Sequence, residues 1–172
     1  MADSARAFKA GPVPGVSVGA ACHAGAMSDA TPDTYRAVSL TRLDRGSFRV
    51  TNAAGGTIDV GVTESDFTPV ELLLAALAGC AAINVEELTS RRAEPTSFDV
   101  VSEGHKGRDD TGSRMTDLRL LFDAVFPEGE AGDAARAILP RVLAQTHDRI
   151  CTVSRTVGLG SDVAYELAPE AP

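Results

Sequence analysis

The strongest intrinsic chemistry in this 172-residue chain belongs to its three cysteines, Cys22, Cys80 and Cys151. A thiolate is both a nucleophile and a metal ligand, so each sulfur's role depends on its surroundings and on what lowers its pKa. Cys80 sits inside TPVELLLAALAGCAAINVEEL, residues 68–88. There it reads either as a small hydrophobe in a packed helix or as a reactive thiol. It lies about three turns into that predicted helix, too far in for the helix's own dipole to favour the thiolate. A reactive Cys80 therefore needs a cation from elsewhere, and arginine is best suited. Cys151, in HDRICTVSRT, falls at the end of a second predicted helix. It reads either as buried or as the partner that a disulfide cycle requires. Cys22 falls in a low-complexity stretch and is assigned no role.

Two further uses of these residues can be weighed. His147 and Cys151 are four apart, would share one helix face and offer two metal ligands, with Cys80 as a third. No CxxC or HExxH run accompanies them, and no metal is expected. Cys80 and His147 could also form an acyl-transfer dyad, but no nucleophile elbow or oxyanion glycine run is present. His105 and His23 read as solvated. Gly158 and Gly160, in GLGSD, follow a helix rather than a strand, so this is no phosphate loop and no cofactor is expected.

A formal charge of −8 argues against nucleic acid or an anionic membrane as the main partner. The longest apolar run, Leu72 to Val85, holds one Asn and reads as too short to span a bilayer. Residues 1–33 are rich in Ala, Gly, Pro and Ser with no structural period, and lack the apolar core of a secretory signal. They read as a disordered tail, with Met27 as an alternative start. Cysteines without framework spacing imply a reducing, cytoplasmic setting.

The elements that must position the thiols follow from periodicity. Residues 34–64 carry alternating runs separated by glycines, which predicts a three-stranded antiparallel meander. Thr68, Pro69 and Glu71 form a helix start, and the helix runs to about Arg91. From Leu72 to Val85 it is apolar all round, so it should be buried on every side. One small chain has difficulty surrounding such a helix, which predicts an intertwined oligomer. Phe98–His105 and Arg114–Phe126 read as strands joined by the turn GRDDTGS. In the second, Leu118, Leu120, Phe122, Ala124 and Phe126 share a face. A second helix follows PEGEAGD, with Pro140 expected to kink or restart it. VAYEL reads as a last strand, and residues 169–172 as a frayed end. The class is α+β, with one domain over residues 34–168.

The Pro-led helix TPVELLLAALAGC, followed by ICTVSRT, resembles the OsmC/Ohr family of thiol peroxidases, the osmotically inducible and organic-hydroperoxide-resistance proteins. The resemblance covers about Thr34 to Leu167. It implies antiparallel sheets wrapped around two central helices in an intertwined homodimer, with two active sites at the subunit interface. It also implies that Cys80 attacks the O–O bond of an organic hydroperoxide to become a sulfenic acid. Cys151 then condenses with it to a disulfide, which an external dithiol reduces. The thiolate of the family is held by an arginine from an early strand of the other subunit. Within TRLDRGSFRV the matching residue is Arg45, with Arg49 and Arg42 as alternates. The family carboxylate after the motif proline is replaced here by Val70, with Glu71 one position later, about 100° around the helix. This departure looks more like the YhfA-type branch. It also leaves a second reading, a non-catalytic relative that binds a small apolar or sulfur-containing ligand in the interfacial pocket.

Overall fold

The computed structural model describes residues 34–167; the expected tail and the expected frayed end lie outside these residues. Two compact units make up the chain, one ending at Thr68 and one beginning at Pro69.

The first unit is the predicted meander: β1 (Val38–Asp44), β2 (Ser47–Asn52) and β3 (Thr57–Gly61), antiparallel in the order β1-β2-β3. The two turns use Gly46 and Gly55 at φ 76° and 86°, conformations that a side chain disfavours. Register pairs Leu40 with Val50 and Val50 with Ile58, putting apolar side chains on one face. The other face carries Arg49 opposite Asp59, joined by two hydrogen bonds of 2.8 Å.

The second unit contains α1 (Pro69–Ser90), β4 (Ser97–Asp109), β5 (Gly112–Val125), α2 (Glu130–Gln145), a π-helical turn (Thr146–Ile150) and α3 (Thr152–Leu159). The β4–β5 hairpin is longer than expected, because both strands continue through GRDDTGS to a tight turn at Asp110 and Thr111. The inward alternation of Leu118, Leu120, Phe122 and Ala124 is as predicted, and Phe126 is buried. Phe122 meets Phe98 of the paired strand edge to face, with ring centroids 6.2 Å apart.

Four sequence expectations need correction. First, α1 is not buried on every side within the chain. Leu77, Ala81, Val85 and Thr89 form one buried stripe, whereas Ile83 is 67% exposed. Its neighbours α2, β4 and α3 cover one flank only. Second, the apolar run Leu72–Val85 is short, but its 22-residue helix is long and apolar enough to cross a membrane by length and composition. Third, α2 passes through Pro140 without restarting; the chain leaves the helix at Cys151 and begins a separate helix, α3, that the sequence pattern did not separate. Fourth, VAYEL is not a strand. Its alternation suits a ladder, but a strand exists only through a hydrogen-bonded neighbour, and none of the described strands pairs with it.

The start of α2 is fixed by close approach. A Cβ on Gly132 would collide with the carbonyl oxygen of Pro127. Arg136 holds that segment by donating to the Phe126 and Pro127 carbonyls at 2.9 and 3.2 Å. Gly132→Ala should therefore destabilise the protein by about 2 kcal/mol or more, as over-packing against rigid backbone does. Urea unfolding checks this, and a midpoint unchanged from wild type would contradict the packing described.

Candidate active site: a thiol pair at a helix N-terminus

Cys151 owes its position to a change of helical geometry. After α2 the backbone widens into the π-helical turn, and the Cys151 N–H still donates to the Thr146 carbonyl at 2.9 Å. Cys151 itself is extended, with φ −69° and ψ 104°, and is the N-cap of α3. An N-cap side chain normally offers an oxygen to the first free N–H groups of its helix. Here the acceptor is sulfur: Sγ receives the Ser154 N–H at 3.4 Å and the Ser154 hydroxyl at 3.2 Å. Cys151 is fully buried.

Cys80 arrives from α1, only partly buried. Cys151 and the Val153 and Thr152 N–H groups lie close enough to its sulfur to influence its charge. Both thiols are free. One turn further along α1, Asn84 Nδ2 donates to the Cys80 carbonyl at 2.6 Å and reaches its sulfur at 3.9 Å. The first turn of α3 is thus directed at both sulfurs, where its N–H groups and dipole favour negative charge.

The two thiols respond differently. Burial pushes the Cys80 pKa up; the Val153 and Thr152 N–H groups oppose this, while Cys151 adds to it. Burial is also the largest single influence on Cys151, again upward, but Ser154, through hydroxyl and N–H, together with the Cys80 thiol and the Val153 N–H, outweighs it. The net shift of Cys151 is downward. The two shifts favour charge on Cys151 over charge on Cys80.

The structure therefore brings Cys80 and Cys151 together, but not as expected in detail. Cys151 caps a new helix instead of ending the second one. Cys80 is indeed too deep in α1 to use that dipole, yet it faces the N-terminus of α3. His147 is excluded from this cluster: its Nδ1 pairs with Asp148 Oδ1 at 2.8 Å, its side chain is 81% exposed, and it makes no hydrogen bond to either thiol. Neither the His147 dyad nor the His147–Cys151 metal pair is assembled, and among the described residues no three His, Cys, Asp or Glu side chains converge as metal ligands.

Arg45 lies in the β1–β2 turn and is exposed. Its backbone N–H bonds Asp44 at 2.7 Å, and no described side chain pairs with its guanidinium. Arg49 is committed to Asp59. The sequence reading passed over Ser154 and Asn84. Their signals were local: a serine three residues after an N-cap, and the lone polar residue one turn beyond Cys80 in an apolar run.

A family model described as OsmC-like protein matches residues 62–166, more than half of the chain. An α+β unit with a reduced thiol pair at a helix N-terminus is the class that fold and site define, and the chain belongs to the OsmC-like family. Solved structures agree on the fold. A hypothetical protein from Aquifex aeolicus VF5 is similar over 74% of this chain and 90% of its own, at 18% identity and a TM-score of 0.60. An OsmC-like protein of unknown function from Vibrio cholerae O1 covers 72% and 93%, at 14% identity and a TM-score of 0.61. An OsmC-like protein from Mycoplasma pneumoniae covers 73% and 89%, at 14% identity and 0.56. No curated protein matches the chain.

Ser154 provides a direct check on the electrostatics. Its donors stabilise the charged form of Cys151, so the stability they contribute is present above the unfolded-state pKa and is lost as pH falls through the folded-state pKa. In a background where Cys22 and Cys80 are serine, Ser154→Ala should move the Cys151 thiolate absorbance at 240 nm to higher pH. A midpoint that stays or falls would show that Ser154 does not hold the charge.

Proposed function

We propose that this protein is a thiol peroxidase that reduces organic hydroperoxides through Cys80 and Cys151. The observation that carries the reading is the pairing of a partly buried thiol with a fully buried one at the N-terminus of α3, close enough that each influences the charge of the other. Exposure assigns the roles. A peroxide reaches Cys80 first, and Cys151 waits behind it.

Transfer of the shared proton from Cys80 to Cys151 makes Cys80 the nucleophile. Its thiolate attacks the outer peroxide oxygen, the O–O bond breaks, and Cys80 becomes the sulfenic acid. The proton passes to the leaving alkoxide, giving the alcohol. Cys151 is again a thiolate, attacks the Cys80 sulfur and expels hydroxide, forming the disulfide. An external dithiol then restores both thiols by exchange and is itself oxidised to a disulfide. A reducing cytoplasm is where such a reductant is available.

A cation beside Cys80 would favour the reactive proton arrangement. Arg45 is our choice, supplied by the second subunit of a homodimer, with Arg42 as the alternate; Arg49 is already held by Asp59. The dimer is supported by apolar surface that one chain leaves uncovered: Val38 and Leu40 on the meander, 61% and 56% exposed, and Ile83 on α1. Val70 in place of the family carboxylate supports kinship with the YhfA-type branch.

One equivalent of cumene hydroperoxide, followed by mass spectrometry, tests the chemistry. The wild type should lose two hydrogens per chain, mapped to a Cys80–Cys151 bond, and Cys151→Ser should hold a trappable sulfenic acid on Cys80. Thiols that stay reduced would leave a ligand-binding relative as the reading. Light scattering after size exclusion should give twice the chain mass of 17.8 kDa, and Arg45→Ala should slow Cys80 oxidation by about tenfold or more, as loss of a charge partner does.

A further inference from the structure

The arginines of the two long helices leave one place electrostatically unbalanced. Arg91 is held by Glu87, four residues back, at 3.0 Å, and Arg136 is paired with Asp133, three residues back. Those are the spacings at which side chains on one helix meet. Arg141 has Ala137, Ile138, Ala144 and Gln145 at the same spacings, so its own helix supplies no acid. Arg92, two residues past the end of α1, has Leu88 and Thr89 behind it. Among the described residues, neither Arg92 nor Arg141 is ion-paired.

Both unpaired arginines line one cleft of about 280 Å³ between α1 and α2. Its apolar floor is Leu88 from α1 with Ile138 and Val142 from α2; Val142 is buried and the other two are half-buried. Gln145 adds an amide, and Arg91 is a third arginine, already neutralised by Glu87. Leu88 follows Cys80 by two helical turns, about 12 Å along α1. The cleft is therefore separate from the thiol pair.

Helix ends account for part of this pattern only. A cation just past a helix C-terminus complements the dipole, which covers Arg91 and Arg92. Arg141 precedes the last turn of α2 and gains little from that effect. The chain has 16 basic and 24 acidic residues, yet two uncompensated positive charges share this cleft. They repel each other, and a bound anion relieves that repulsion.

The lining selects the ligand. Guanidinium groups match carboxylate and phosphate oxygens in fork geometry. The aliphatic floor needs hydrocarbon against it, which inorganic phosphate lacks. A carboxylate offers one oxygen to each arginine and leaves none facing the floor. Two charges on a chain of net −8 are too few for a nucleic-acid backbone. The volume corresponds to roughly nine waters, enough for about eight to ten non-hydrogen atoms.

We infer that the cleft between α1 and α2 binds a small organic anion, a carboxylate on a short hydrocarbon body, with Arg92 and Arg141 holding the carboxylate over Leu88, Ile138 and Val142. The site does not depend on the peroxidase reading; it serves a catalytic or a non-catalytic protein equally.

Hexanoate and 1-hexanol are suitable probes, because they share a chain and differ in charge. With methyl-labelled, reduced, full-length protein at fixed ionic strength, hexanoate should shift the Leu88, Ile138 and Val142 methyl signals saturably. Val153, beside the thiols, should stay in place. Hexanol should bind roughly fivefold more weakly. Arg92→Gln and Arg141→Gln should each weaken hexanoate by about threefold, and the double variant should bind it no better than hexanol. Both side chains are exposed, so the melting temperature should stay near that of the wild type. Equal binding of hexanoate and hexanol would overturn the site, as would a preference that survives the double substitution, or shifts that scatter or fail to saturate. Inorganic phosphate displacing hexanoate at equal concentration would overturn the hydrocarbon body. Tighter binding of hexyl phosphate would overturn the carboxylate. If the double variant unfolds, the two arginines are structural and their assigned role falls.

Discussion

The site depends on one backbone event, the exit from helical geometry at Cys151. A continuous helix through this point would have spent the N–H groups of Thr152, Val153 and Ser154 on internal hydrogen bonds. The break frees them: the Ser154 N–H is used on the Cys151 sulfur, and those of Val153 and Thr152 favour charge on Cys80. The same event produces a second helix N-terminus at the buried Cys151, where its partial positive charge favours a thiolate. A buried thiol that would otherwise resist ionisation is thereby shifted toward its charged form.

Everything around the break keeps it in register. The widened turn from Thr146 to Ile150 retains a carbonyl for the Cys151 N–H, so the chain turns without orphaning that donor. The stripe Leu77, Ala81, Val85 and Thr89 seats α1 in the core of its unit, fixing Cys80 beside Ala81. Full burial of a residue such as Val85 contributes on the order of 1.5–3 kcal/mol, enough to hold the register of the helix and the height of its thiol. Asn84 ties its amide to the Cys80 carbonyl, adding a polar clamp one turn away.

The asymmetry between the sulfurs gives the pair a direction. Two identical environments would make either sulfur the first to react. Here the partly buried sulfur is shifted away from its charged form and the fully buried one toward it.

Much of this fold was legible because it is local. The glycine-punctuated meander, the Pro69 start of α1 and the alternation of Leu118, Leu120 and Phe122 depend on residues close in sequence, whose side-chain periods declare their geometry. The two cysteines, their helices and the family resemblance were legible for the same reason. What only the tertiary structure decided was non-local. VAYEL alternates like a strand, but a strand needs a neighbouring ladder that its own residues do not supply. The all-round apolar α1 announced burial, yet which stripe is covered depended on where α2, β4 and α3 pack. HDRICTVSRT looks helical throughout, since the choice between continuing a helix and capping a new one turns on a few backbone hydrogen bonds. That choice, together with the approach of α1 to α3, made neighbours of two distant thiols and gave Ser154 its partner. Sequence alone named the two thiols, and packing set the surroundings of each.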